Sequence, residues 1–286
     1  MKTVFVTLLV FVLVPLVNAS ENVPYYGHQF NQIKSQLKDT ALRTKLKEIL
    51  MSGHIAAEAT TQNEDVLVKS CDAVKNCTRQ TSLGYERARE FLFGKYYLVN
   101  TKNGYGVQEM YCDRIYTAQD FKPGQGLPAP GIVPEDSVIN TEHTWPQSHF
   151  SGKYSKDLQK ADLHHLFPTD SQMNSLRGNS MFGEVEFPTH YTKCNASKFG
   201  QGVGTRQNVF EPPQNHKGHI ARALFYFAVR YDLQISAAEE VMLKKWNHES
   251  PVDQQELDRN GVIQSVQGNR NPFIDYPELA DQIADF

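Results

Sequence analysis

Asn140-Thr141-Glu142-His143-Thr144-Trp145-Pro146-Gln147-Ser148 places a carboxylate directly before a histidine, at the end of a strand-like run that Pro146 must stop. A second stretch follows, Asp162-Leu163-His164-His165-Leu166-Phe167-Pro168, and then a short segment carrying Asn174 and Arg177. Thr169 with Gln172 resembles a capping box behind Pro168, and Gly178 can end the turn, so the pattern predicts a short helix. Asn174 and Arg177, three residues apart, then share one face of it. A carboxylate, a histidine base, a neutral oxygen donor and a cation are the parts that metal-assisted phosphodiester hydrolysis requires.

Each residue type suits a task. His143, as a neutral imidazole with an ordinary pKa of about 6.5, can take a proton from water near neutral pH. Glu142 suits a metal, because Mg2+ is commonly held by few carboxylates, with waters and phosphate oxygens in the remaining positions. Adjacent residues of a regular strand face opposite sides, so Glu142 and His143 serve one site only if it straddles the strand end beside Pro146. Asparagine is a poor helix former, so Asn174 carries a small cost in its helix. His164 and His165 raise the alternative of a secreted zinc hydrolase. No His-Glu-x-x-His or Cys-x-x-Cys frame accompanies them, and structural roles are expected for both.

The two stretches together resemble the ββα-metal (His-Me finger) nucleases, specifically the bacterial endonuclease I family of secreted or periplasmic non-specific nucleases, over about residues 111–277. The resemblance implies a single α+β domain with a ββα-metal core surrounded by helices, the catalytic core spanning about residues 111–230. Matching residues 162–168 to the family's Asp-x-His-x-Leu-x-Pro frame puts Asn174 at the second protein metal ligand beside Glu142, with His143 as general base. It further implies one Mg2+, with Mn2+ or Ca2+ as other candidates. DNA and RNA would be contacted through their backbones, and cleavage would leave 5′-phosphate and 3′-hydroxyl ends. Family members can carry a catalytic arginine between the histidine and this frame. Here residues 144–161 hold Lys153, Lys156 and Lys160 but no arginine. Either a lysine acts as a point charge or Arg177 supplies the cation, and Arg177 is taken as the catalytic one. A homologue that keeps the fold and only binds nucleic acid is the remaining alternative, against which the intact Glu142, His143 and Asn174 argue.

Residues 1–19 read as an export signal. Lys2 gives a positive start, residues 4–17 are apolar apart from Thr7 and Pro15, and Val17-Asn18-Ala19 fits a small-residue cleavage site. The apolar run is short for an anchor, which needs roughly 20 residues. The expected domain is residues 20–286, exported to the periplasm or the medium, with no membrane contact after cleavage and no inferred protein partner. Hydrophobic residues make up 40% and the mean hydropathy is −0.49, which fits a soluble chain with a sizeable core. Four cysteines in an exported chain point to disulfides, with free buried thiols as the alternative. Of the three pairings, the favoured one closes a tight Cys71–Cys77 loop and leaves Cys112 with Cys194. The formal charge of −3 excludes a uniformly basic nucleic-acid binder. Residues 143–230, however, hold ten Lys/Arg against six Asp/Glu, so a basic groove is expected there. Asn76-Cys77-Thr78 and Asn195-Ala196-Ser197 match glycosylation sequons, which matter only in a eukaryotic secretory host.

Along the chain, residues 24–60 read as helical, and residues 86–98 pass from a helical turn into an aromatic strand over 91–98. Residues 108–117 read as one strand and residues 121–134 as a Pro/Gly-rich loop leading to the motif. Residues 183–213 read as loop and short strand. Helices are expected over 219–233, with Ile220, Leu224, Phe227 and Tyr231 on one stripe, over 239–247, and after Asp253 with Glu256. Residues 267–275 are expected to pack and hydrogen-bond rather than to contact substrate.

Overall fold

Between residues 139 and 177 the chain runs strand, strand, helix, and the rest of the molecule is arranged around that unit. The computed structural model describes residues 23–60, 63–189 and 194–286; the proposed signal segment, residues 1–19, lies outside the described residues. At the N-terminal end, helices α1 (Phe30–Gln36) and α2 (Asp39–Met51) precede strands β1 (Gly53–Ile55), β2 (Val66–Val68) and β3 (Cys77–Thr78), which form a small antiparallel sheet in the order β2-β1-β3. The helical reading of residues 24–60 therefore holds only to Met51. Helix α3 (Tyr85–Phe91) leads to the antiparallel meander β4 (Leu98–Thr101), β5 (Gly104–Glu109) and β6 (Arg114–Thr117). The motif strand β7 (Ile139–His143) pairs antiparallel with β8 (Leu166–Asp170) across the short helix α4 (Lys156–Lys160), and helix α5 (Ser171–Arg177) follows at once. A third sheet, β9 (Val185–Pro188), β10 (Lys198–Gly202) and β11 (Asn208–Glu211), precedes helices α6 (Lys217–Tyr231), α7 (Ala237–Glu249), α8 (Gln254–Gln267) and α9 (Pro272–Asp275).

Two expectations fail, each for a stated reason. The aromatic run after Phe91 is not a strand: α3 continues into a π-helical turn, Leu92–Tyr96, and extended structure starts only at Leu98. Leu92, Phe93 and Gly94 are buried, and a short apolar run buried on every side has no period that separates helix from strand. Gly94 is required there, since a Cβ would meet the Gly131 backbone at 2.7 Å. Residues 108–117 are two strands, not one. Asp113 takes the left-handed conformation (φ 52°), and the Glu109 carboxylate closes the turn by accepting from Tyr111 N (3.0 Å) and Cys112 N (2.6 Å).

Helix α6 is buried along its whole length, beyond the single stripe that the sequence shows. A helix enclosed on all sides is the centre of a core. Ile220, Leu224, Phe227 and Tyr231 pack with Trp145, Phe225 and Trp246, while Ala223 faces a second cluster formed by Phe91, Phe93, Ile139, Leu166 and Phe167. Each fully buried large apolar side chain contributes about 1.5–3 kcal/mol. The β7–β8 hairpin packs into the second cluster through Ile139, Leu166 and Phe167, and Trp145 just beyond β7 packs into the first. The cations on α6 all meet partners: Lys217 pairs with Glu211 (2.8 Å), Arg222 with Glu256 (2.6 Å), and Arg230 Nε donates to Gln80 Oε1 (2.5 Å). Ser236 caps α7 and Asp253 caps α8, the latter accepting from Glu256 N at 2.7 Å as its sequence predicts. Both favoured disulfides are present, Cys71–Cys77 and Cys112–Cys194. No helix among the described residues is long and apolar enough to cross a membrane.

Candidate active site

Register aligns Glu142 with Phe167 and His143 with Leu166, and Thr144 N extends the pairing to His165 O (3.0 Å) before Pro146 ends it. The helix cap is Asp170, not Thr169: its carboxylate accepts from Met173 N at 2.8 Å, while Thr169 is still in the strand opposite Asn140. Gly178 ends α5 with positive φ, as expected. The start of α5 is fixed from outside by Glu109, which accepts from Asp170 N (2.8 Å), and by Tyr116, which donates to Asp170 Oδ2 (2.6 Å). The meander β4–β6 therefore sets where α5 begins, and with it where Asn174 points.

Glu142, His143 and Asn174 line one open cleft of about 490 Å3, together with Pro146, Gln147 and Gly178. The cleft lies at the strand end, so the alternation of neighbouring side chains does not separate Glu142 from His143. His143 Nε2 sits 3.1 Å from Lys160 O. A carbonyl oxygen can only accept, so Nε2 carries the proton and Nδ1 keeps its lone pair. That Nδ1 faces the Gln147 amide nitrogen at 3.4 Å. Burial pushes the His143 pKa down to about 3, with His165, Lys160 and Arg177 adding positive potential, so the ring is neutral near pH 7.

Asn174 Nδ2 donates to Asn140 Oδ1 (2.8 Å) and to Thr141 O (3.2 Å). Because a backbone carbonyl cannot donate, the amide orientation is fixed and Oδ1 is the atom left for a ligand. The Glu142 carboxylate is 2% exposed. Arg177 Nη1 comes within 2.9 Å of Glu142 Oε1, yet this buried oxygen has no directed hydrogen bond, so the contact is ionic. Burial raises the Glu142 pKa, and Arg177 with the Tyr111 hydroxyl opposes the rise. Glu142 and Asn174, both lining the cleft, offer hard oxygen donors that fit an Mg2+-type cation better than Zn2+.

Arg177 does not line the cleft. It is buried behind Glu142, donates to His143 O (3.1 Å) and Thr144 O (2.7 Å), and stacks over Phe182 at 4.4 Å. The two hydrogen bonds tie the end of β7 to α5. Of the three lysines, Lys153 is exposed and paired with Asp232 (2.8 Å), and Lys156 is exposed. Lys160 lies over the Tyr85 ring (4.1 Å), whose centroid is 5.4 Å from that of His143. The positive surplus of residues 143–230 is thus largely engaged internally, through Arg177, Lys198, Lys217, Arg222 and Arg230.

His164 and His165 are buried and give a ring nitrogen to Asn269 O (3.2 Å) and Gln159 O (2.8 Å); burial lowers both pKa values to about 4. They form no metal cluster. Among the described residues, the grouping of His, Asp and Glu close enough to share an ion is His219, Asp253 and Glu256. Arg222 grips both oxygens of that Glu256 (2.8 and 2.6 Å), which balances its charge within the protein. Sequence reading missed Glu109 and Tyr85, whose roles come from contacts distant along the chain and leave no spacing signal.

The family model described as Endonuclease I matches residues 41–278. An extracellular ribonuclease of Bacillus subtilis (strain 168) is 38% identical over 162 residues, 50% of this chain and 53% of that protein. An extracellular deoxyribonuclease of Aeromonas hydrophila is 33% identical over 118 residues, 41% of this chain and 49% of that protein. Endonuclease-1 of Buchnera aphidicola subsp. Acyrthosiphon pisum (strain APS) is 31% identical over 116 residues, 40% of this chain and 44% of that protein. The chain spans about half the length of the curated relatives it matches.

Proposed function

Since the chain belongs to the endonuclease I family, we propose that it is an exported, Mg2+-dependent, non-specific endonuclease with a His-Me finger core, acting on DNA and RNA. The observation that carries this reading is one cleft lined by a neutral histidine whose unprotonated Nδ1 meets the Gln147 amide, a buried carboxylate and an asparagine whose Oδ1 is turned away from the two acceptors that its Nδ2 meets. His143 Nδ1 takes the proton of a water that attacks phosphorus opposite the 3′ oxygen, leaving 5′-phosphate and 3′-hydroxyl ends. Glu142 and Asn174 would hold the cation, which when bound supplies charge stabilisation to the phosphate and the departing oxygen. Arg177 keeps the Glu142 carboxylate charged and fixes its direction, and Lys160 is the cation placed beside His143. Nothing in these roles calls on a 2′-hydroxyl, which supports action on both nucleic acids. Export agrees with the apolar leader, and the relatives named extracellular point the same way.

The test is digestion of plasmid DNA and of RNA after chelation, followed by rescue with single metals. Mg2+ is expected to restore cleavage, and Glu142→Ala and Asn174→Ala to raise the Mg2+ concentration for half-maximal rate, Glu142 the more because it brings the only charge. Activity that survives chelation, or returns with Zn2+ alone, would defeat the reading.

A further inference from the structure

Asp162 is a fully buried carboxylate for which the proposed chemistry has no use. It is 1% exposed, and five donors converge on it. Oδ2 accepts from Gln80 Nε2 (2.7 Å), Tyr226 OH (2.8 Å) and Tyr231 OH (2.8 Å). Oδ1 accepts from Gln267 Nε2 (2.8 Å) and from His164 N (3.1 Å). These donors come from the segment before α3, from the central helix α6, from the end of α8 and from the turn itself. The carboxylate is thus the knot joining three regions distant in sequence, and its charge is held by dipoles, with no Lys or Arg hydrogen-bonded to it. Burying a carboxylate in this way costs several kcal/mol unless every lone pair is used, and here they are.

The carbonyl that orients His143 lies at the start of the turn that Asp162 anchors. Lys160, two residues earlier, offers its carbonyl to His143 Nε2, and Gln159 offers its own to His165 Nε2. Gln159 in turn closes the loop after the motif, through Ser151 N (2.8 Å) and Ser151 O (2.9 Å). We propose that Asp162 is a positioning residue: its five hydrogen bonds hold the 159–165 turn so that the Lys160 carbonyl fixes His143 in the Nε2-protonated tautomer, with Nδ1 unprotonated on the Gln147 side. This inference rests on the endonuclease reading for its kinetic consequence, but not for its tautomer consequence.

Asp162→Asn replaces one accepting oxygen by an NH2 group, which faces either the three donors at Oδ2 or the two at Oδ1. Two measurements follow. Nitrogen-15 spectra of the histidine rings are expected to show His143 protonated at Nε2 in the native chain, and a mixed or reversed tautomer in Asp162→Asn. On DNA with saturating Mg2+, kcat is expected to fall about 10- to 100-fold while KM stays within about twofold, the pattern of a displaced base rather than lost binding. If Asp162→Asn does not fold, the double variant Tyr226→Phe/Tyr231→Phe removes two donors without adding a polar group. It is expected to shift the tautomer in the same sense, with a kcat loss of about three- to tenfold. A folded variant with native His143 tautomer, or one whose kcat falls only in proportion to the folded fraction, overturns the inference. A native chain with no nuclease activity overturns the endonuclease reading instead, and the ring spectra still decide the role of Asp162.

Discussion

His143 is oriented by the bond from its Nε2 to a backbone carbonyl and by the Gln147 amide at its Nδ1, and the consequence is a base whose unprotonated nitrogen is fixed before substrate arrives. His143→Ala is expected to lower turnover by about 10²- to 10⁴-fold with little change in substrate affinity. Steady-state kinetics check this, and turnover within threefold of the native enzyme would remove His143 from the mechanism. The two cations near it separate by burial. Arg177→Ala leaves Glu142 buried and unpaired, so a stability loss of about 3–5 kcal/mol is expected, read from urea denaturation. Lys160→Ala is expected to leave the denaturation midpoint nearly unchanged and to lower turnover. The reverse pattern would return the catalytic cation to Arg177.

Among the elements, α5 matters most, because it carries Asn174 and is fixed at its cap, Asp170, by Glu109 of β5 and Tyr116 of β6, either side of the β5–β6 turn. That turn is also where Cys112 joins Cys194 across a separation of 82 residues, enclosing the whole β7–β8–α5 unit. On the loop-entropy account, losing this bridge costs on the order of 4 kcal/mol, against about 2 kcal/mol for the six-residue Cys71–Cys77 separation. Paired Cys→Ser replacement of each bridge, followed by denaturant titration, should rank them in that order. Equal losses, or a larger loss from the short bridge, would show that native-state strain or residual unfolded structure dominates.

Over the whole molecule, buried histidines set the response to acid. His54, His164 and His165 are each lowered to about 4 by burial, and His216 is lowered well below its ordinary value. A histidine whose folded pKa is depressed contributes stability that is fully present above the unfolded value of about 6.5. That contribution is lost as pH falls towards the folded pKa, because only the unfolded chain takes up the proton. Glu109 acts oppositely: burial raises it to about 7, so its contribution is full below the ordinary carboxylate range and lost as pH rises through 7. The histidines outnumber it. The urea midpoint is therefore expected to fall between pH 6.5 and pH 4, on the order of 1–3 kcal/mol for each histidine. A midpoint constant or rising over that window would contradict the burial of these rings.

The sequence by itself marked the central helix and the cap at Asp253, because each depends on residue type at short spacing, and its family frame singled out Glu142, His143 and Asn174, which line one cleft. Local physics reads such features directly: a cap needs an oxygen three residues before an N–H, and an amphipathic helix needs a 3.6-residue period. Tertiary structure alone decided the rest. Whether residues 91–98 form strand or helix turned on burial from every side, which erases periodicity. That Arg177 lies behind the cleft turned on its burial against the Glu142 carboxylate. The same holds for Asp162, whose five donors come from as far as 105 residues along the chain, a convergence that no window of sequence contains.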